Sequence, residues 1–292
     1  IFSKEDRLGR LEKWFFVKKT MDEWQPDVIH VNTEWAVGYL GAMYARHRRK
    51  PFTYTFHTLW EDYIEGYAPF LSSKMSKKMG KELVKFYLKY ATVIIAPTKR
   101  IAYVVERYGI EKTPYLLPTG IPSSLFVLDP EKQKTKEKLL YSHFPQLVGK
   151  NILLYVGRVA NEKNLDFLLD VNEKIQQKRT DTVMLIVGDG PYMKDLQKHI
   201  TERKMGSTVF CSGYLDRRDL PYIYSLATVF TFPSKTETQG LVTAEAMLAG
   251  LPVVAIGEMG TVDVMQGDNG GYMVPDDASV FSDKVLQLLD SD

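Results

Sequence analysis

Ile152-Leu153-Leu154-Tyr155-Val156-Gly157-Arg158-Val159-Ala160-Asn161-Glu162-Lys163-Asn164 opens as an apolar run and breaks at a glycine into a turn carrying two cations five residues apart. Five apolar residues stopped by a turn read as a strand buried on both faces, the kind that parallel sheets contain. The turn then stands at the carboxyl end of a parallel strand, the edge at which open α/β sheets take their ligands.

Outward from this stretch, similar short runs recur at residues 183–187, 209–212, 229–232, 252–256 and 272–274, and before it at 27–31, 52–56, 92–96 and 114–117. The gaps between runs leave room for one helix each, as in strand, crossover helix, parallel strand. With 292 residues, about twice a common single-domain size, two lobes are expected. The sequence therefore predicts an α/β chain of two Rossmann-like parallel-sheet domains, 1–127 and 128–292, with residues 129–138, opened by Asp129-Pro130, as the linker.

Composition removes other classes. Hydrophobic residues at 45% and charged residues at 25% are globular values, which exclude disorder and coiled coil. No apolar run approaches the roughly 18 residues of a membrane span. The single cysteine, Cys211, sits in an apolar strand, reads as inert core and fits a reducing, cytoplasmic setting. The chain starts Ile1-Phe2-Ser3, as a piece of a longer protein would. Its net charge of +2 hides an asymmetry: residues 1–127 hold 20 basic and 13 acidic side chains, residues 128–292 hold 18 and 23. The first half is expected to face something anionic.

Arg158 and Lys163 would together hold a diphosphate, a guanidinium fork and a compact ammonium against adjacent phosphates, although a solvated basic turn has the same composition. A second device follows residues 229–232. Pro233-Ser234-Lys235-Thr236-Glu237-Thr238-Gln239-Gly240-Leu241-Val242-Thr243-Ala244-Glu245 reads as a loop leading into a helix that begins at Gly240. The amides of Gly240, Leu241 and Val242 and the helix dipole favour an anion there. Glu245, polar among Ala244, Ala246 and Met247, needs donors, and ribose hydroxyls would serve. Glu237 stands where a sugar on the diphosphate would project; for either glutamate a cap or surface role is the other reading.

The pair Glu237 and Glu245 at Glu-x7-Glu spacing, the GRVANEK turn, Val187-Gly188-Asp189-Gly190-Pro191 and Leu117-Pro118-Thr119-Gly120-Ile121 together resemble glycosyltransferase family 4, in order along nearly the whole chain. Phe56-His57-Thr58-Leu59-Trp60-Glu61-Asp62-Tyr63 and Lys235-Thr236-Glu237-Thr238-Gln239-Gly240-Leu241 are similar to bacterial diacylglycerol glucosyltransferases. The resemblance implies a GT-B type fold with the two domains facing a cleft, and retaining transfer of a hexose, glucose foremost, from a UDP-sugar. It implies that Arg158 and Lys163 hold the diphosphate. Gly157, Gly240, Leu241 and Val242 border the donor, and Tyr214 and Leu215 border its base, although packing would suit those two equally. Glu245 holds the ribose, Glu237 faces the hexose, and His57 touches the sugar from the first domain, where the residue alone would read as a structural histidine. A same-face route, in which the departing phosphate takes the acceptor's proton, is the expected mechanism. No Asp-x-Asp pair of the kind that anchors a magnesium diphosphate is apparent, and Arg158 and Lys163 can replace the metal's charge, so neither metal nor other cofactor is expected. The family's first strand, glycine-rich loop and final crossover helix have no counterpart here, so the first domain is expected to be incomplete.

Residues 74–90 carry Lys74, Lys77, Lys78, Lys81, Lys85 and Lys89 against one acid, Glu82, with Met75, Met79, Leu83, Phe86 and Tyr90 at steps of three or four. A helix here would show an apolar stripe flanked by lysines, suited to the anionic inner leaflet of the cell membrane and to a lipid acceptor there; a core-packed helix with a solvated basic face is the alternative. Trp60, Tyr63 and Tyr67 would line the acceptor mouth, or cover a core edge as loop aromatics often do. Nucleic acid is not expected, since no recognition motif accompanies the basic helix. Two other functions remain open at this point: transfer to a soluble or polymeric acceptor such as a polysaccharide or teichoic acid, and a non-transferring nucleotide-sugar-binding module or epimerase.

Overall fold

The computed structural model describes residues 13–60, 72–267 and 270–291. The chain forms two compact units, residues 1–119 and 120–292, so the division falls between Thr119 and Gly120, ahead of the position read from the sequence.

In the first unit, strands β1 (Ile29–Val31), β2 (Phe52–Thr55), β3 (Val93–Ala96) and β4 (Tyr115–Leu116) lie in the order β1-β2-β3-β4, all parallel. The helices are α1 (Trp14–Trp24), α2 (Ala36–Arg48), α3 (Ser73–Tyr90) and α4 (Lys99–Arg107). Helix α4 shows why these sequences fold as they do. Thr98 caps it by accepting a hydrogen bond from the Ile101 N–H at 3.3 Å, and Ile101, Val104 and Val105 bury one stripe against the sheet. The strand expected at 114–117 shortens to two exposed residues because Pro114 and Pro118, which lack an N–H, flank them at the sheet edge.

The second unit holds β5 (Asn151–Val156), β6 (Thr182–Val187), β7 (Val209–Gly213), β8 (Val229–Phe232), β9 (Val253–Ile256) and β10 (Gly271–Val274) in the order β10-β9-β8-β5-β6-β7, again all parallel. Its helices are α5 (Pro130–His143), α6 (Leu165–Gln176), α7 (Met193–Glu202), α8 (Leu220–Leu226), α9 (Leu241–Leu248), α10 (Gly260–Val264) and α11 (Ala278–Leu289). The core centres on β5, β6 and β8, whose Leu153, Leu154, Tyr155, Met184, Ile186 and Phe230 are buried completely.

The linker reading of residues 129–138 is overturned: they begin helix α5. Asp129-Pro130 opens a helix here, because the aspartate side chain accepts from the N–H groups of Glu131 and Lys132 while the proline, needing no donor, takes the first helical position. The helix joins the second unit through Leu140, which is buried, and an ion pair of Lys136 with Asp219 at 2.8 Å.

The turns leaving β5 and β6 are packed backbone on backbone. Gly188 has a φ of +138°, and a Cβ added to it would stand 1.8 Å from the carbonyl oxygen of Gly157. Gly188→Ala should therefore cost about 2–4 kcal/mol of unfolding free energy, read as a lower urea midpoint; a midpoint equal to that of the parent protein would contradict this packing.

Candidate active site

From β5 the chain runs outward to β6 and β7, then returns to lay β8 on the other side of β5. This reversal is the topological switch point, and ligands of open parallel sheets bind in the crevice beyond it. The loops that leave β5 and β8 carry the residues singled out in the sequence.

Lys163 ends a single 3-10 turn after β5 and is only 7% exposed. Its ammonium forms an ion pair with Glu237 on the loop after β8, and the Ser234 hydroxyl donates to the same carboxylate oxygen at 3.3 Å. The Asn164 amide adds a second tie between the loops, donating to the Pro233 carbonyl at 3.4 Å. A lysine this buried requires an anion beside it, and Glu237 supplies one. Arg158, half-buried, stands 4.0 Å from Glu162. Its carbonyl accepts the Tyr155 hydroxyl at 3.0 Å, and that hydroxyl also fills the space a side chain on Gly157 would need, 2.7 Å from where a Cβ would stand.

Gly240 takes the left-handed conformation, φ 66°, immediately before α9, and brings no capping side chain to the first amides of that helix, those of Leu241 and Val242. Its backbone lies against Gly260 and Thr261, so the helix start is held close to the next loop. Glu245 is 8% exposed, and its two oxygens already have protein donors: Arg217 at 3.4 Å and the Tyr224 hydroxyl at 3.2 Å. The donors that the sequence reading asked for around this carboxylate thus come from within the unit. Burial first, and the nearby Glu245 charge second, raise the Tyr224 phenol well above its ordinary range, which keeps it a donor. Tyr214 is exposed and Leu215 packs on the core; both follow β7, where the pairing with β6 slips and sets Val187 opposite Gly213. The same loop supplies Arg217.

The second unit therefore joins Lys163 to Glu237 directly, and links the Tyr214-Leu215 loop to Glu245 through Arg217. Arg217, Tyr224 and Ser234 were not singled out from the sequence. Nothing in the spacing of Arg217 and Tyr224 marks them, because their partner Glu245 is distant along the chain, whereas Ser234 reaches Glu237 within one loop.

His57 follows β2 in the first unit. It is half-buried with Nε2 3.3 Å from Asn32 Oδ1, and burial, then the charge of His30, holds its imidazole below the ordinary histidine value. Tyr63 and Tyr67 lie outside the described residues, as do Glu61 and Asp62 of the string that contains His57. Sequence reading also passed over Glu34, a buried acid in the loop after β1.

Helix α3 has two faces. Ser76, Gly80, Val84, Tyr87 and Leu88 are buried, whereas Met75 (50%) and Met79 (47%) are exposed beside Lys74, Lys77 and Lys78. The stripe read from spacing is thus not the packed face. Its upper part is open and its lower part, Leu83 and Phe86, is half-buried, with Phe86 against Tyr39 and Tyr90. Lys81 and Lys85 are half-buried, and Lys89 is exposed. Among the described residues no helix is long and apolar enough to cross a membrane, and no three His, Cys, Asp or Glu side chains are grouped to hold a metal ion. Burial pushes the Cys211 thiol up to about 11, so it stays protonated near neutral pH.

Residues 142–292 match the family model for glycosyl transferases group 1, and residues 1–125 match that for Glycosyltransferase Family 4. Over 80% of its length the chain is 30% identical to an alpha-monoglucosyldiacylglycerol synthase of Streptococcus pneumoniae (strain ATCC BAA-255 / R6), and over 82% it is 29% identical to the enzyme of that name from Acholeplasma laidlawii. The chain spans 53% and 60% of the lengths of these two relatives. Anabaena Alr3699/HepE, solved with UDP and glucose, superposes with a TM-score of 0.78 at 20% identity, covering 99% of this chain and 76% of that one, and so shares the fold of two parallel-sheet units, the GT-B type. With the strand order, the switch-point loops and a family match over its second unit, this chain belongs to the glycosyl transferases group 1 family.

Proposed function

We propose that the protein is a retaining hexosyltransferase that moves glucose from a UDP-sugar to a diacylglycerol-type lipid at the cytoplasmic surface of the membrane. The observation that carries this reading is Lys163, an almost buried cation at the strand-order reversal whose partner, Glu237, comes from the facing loop. Breaking the anomeric C–O bond leaves negative charge on the diphosphate and positive charge on the sugar. Lys163, Arg158 and the start of α9 stabilise the first, with no metal called for, and Glu237 lies on the loop that would meet the second. The bond from the acceptor hydroxyl oxygen forms on the face that the phosphate leaves, and the phosphate oxygen takes the hydroxyl proton, which retains the anomeric configuration. Glu245, steadied by Arg217 and Tyr224, keeps lone pairs for the ribose hydroxyls, and Tyr214 and Leu215 border the base.

Support for a lipid acceptor comes from the named activity of the two relatives and from the exposed methionines and lysines of α3. Each lysine near an anionic surface contributes about 1 kcal/mol of attraction, enough in sum for reversible docking.

Incubation with labelled UDP-glucose and vesicles, with and without diacylglycerol and anionic lipid, should place label in the organic phase only when diacylglycerol is present; label confined to water-soluble product would replace the lipid by a soluble acceptor. Lys163→Ala should lower kcat/KM by about 10²–10³ while leaving the far-UV circular dichroism unchanged, and unaltered turnover would remove Lys163 from the mechanism. Glu237→Gln should slow transfer yet bind UDP about tenfold more tightly by calorimetry. The neutral amide neither occupies Lys163 as a counter-ion nor repels the added diphosphate; equal or weaker UDP affinity would mean that the ion pair does not compete with the ligand.

A further inference from the structure

One buried acid that the proposed transfer does not use is tied to the chain on both sides of His57. Glu34 lies in the loop after β1 and is 3% exposed. One carboxylate oxygen accepts the Tyr54 hydroxyl and the other accepts the Trp60 indole N–H at 2.6 Å. The Glu34 carbonyl is itself clamped from α3 by the Tyr87 hydroxyl at 2.6 Å. Behind the loop, a Cβ on Gly38 of α2 would come within 1.6 Å of the Thr33 carbonyl oxygen, so the loop has no slack on that side. In front, the ring of Trp35 meets that of Trp60 edge-on, with centroids 5.0 Å apart.

Tyr54 stands three residues before His57 and Trp60 three residues after it. Both arms of the segment are thus fastened to one carboxylate, and its midpoint to Asn32 of the same loop through His57 Nε2. We propose that Glu34 is a positioning residue that fixes His57 at the carboxyl edge of the first sheet by holding Tyr54 and Trp60 together. Burial raises the Glu34 carboxyl above its ordinary range while the two donors pull it back, as expected of a costly group kept for the contacts it organises. The consequence for turnover rests on the reading that His57 meets the donor sugar; the positioning itself does not.

The test follows the His57 ring proton signal through a pH titration of the full chain, assigned by its loss in His57→Gln. In the parent protein His57 should titrate below an ordinary histidine. Glu34→Gln should leave that titration in place, since its amide can still accept from Trp60 and donate to the Tyr54 oxygen. Glu34→Ala and Trp60→Phe should release the segment and raise the proton affinity of His57 by threefold or more. Turnover of UDP-glucose should fall about tenfold in those two variants, through kcat, and return to within about threefold of the parent in Glu34→Gln. If Glu34→Ala does not fold, Trp60→Phe decides the question alone, because it removes one donor and leaves the Tyr54 contact. A His57 titration unmoved in every folded variant, or moved as far by Glu34→Gln as by Trp60→Phe, would overturn the positioning role. Full turnover in His57→Ala would instead remove the sugar contact, and the titration would still decide what Glu34 does.

Discussion

Between β5 and β8 the connections leave in opposite directions, one toward β6 and the other toward β9, so right-handed crossovers carry their helices to opposite faces of the sheet. The loops above these two strands are joined to each other, by Lys163 with Glu237 and by Asn164 with Pro233. Lys163 and Glu237 meet because their loops rise from neighbouring strands although 74 residues separate them. Backbone contact between the β5 and β6 turns, allowed by Gly188, holds those two turns together at the same edge.

Within this frame the charged groups are paired with partners of the same unit. Lys163 has Glu237, and Glu245 has Arg217 and Tyr224. Unpaired charges at this depth would lower the stability of the unit, so the resting partners are part of the fold as well as of the site.

The first unit uses the same edge differently. Its sheet runs β1-β2-β3-β4 without a reversal, and the loops after β1 and β2 are locked to each other through Glu34, Tyr54, Trp60 and Asn32. Helix α3 buries a narrow face of small and aromatic residues, Ser76, Gly80, Val84 and Tyr87, which leaves Met75, Met79 and the lysines outward. A helix whose packed face is this narrow can present a second apolar surface without leaving the core.

Residues alone determined the strand positions, the parallel α/β class and the family, because apolar runs buried on both faces and glycines in left-handed turns leave a local mark on the sequence. They also singled out Lys163, Glu237, Gly240 and Glu245, which the fold sets on the turn after β5, on the loop after β8 and in the helix that follows it. Local reading failed where one motif serves two structures: Asp129-Pro130 signals a loop or a helix start with equal force, and only the packing of Leu140 selects the helix. The facing of the α3 stripe, the partners of Glu245 and the hold of Glu34 on the His57 segment were decided by tertiary structure. Each joins groups 20 or more residues apart, and sequence separation of that size leaves no periodic signal to read.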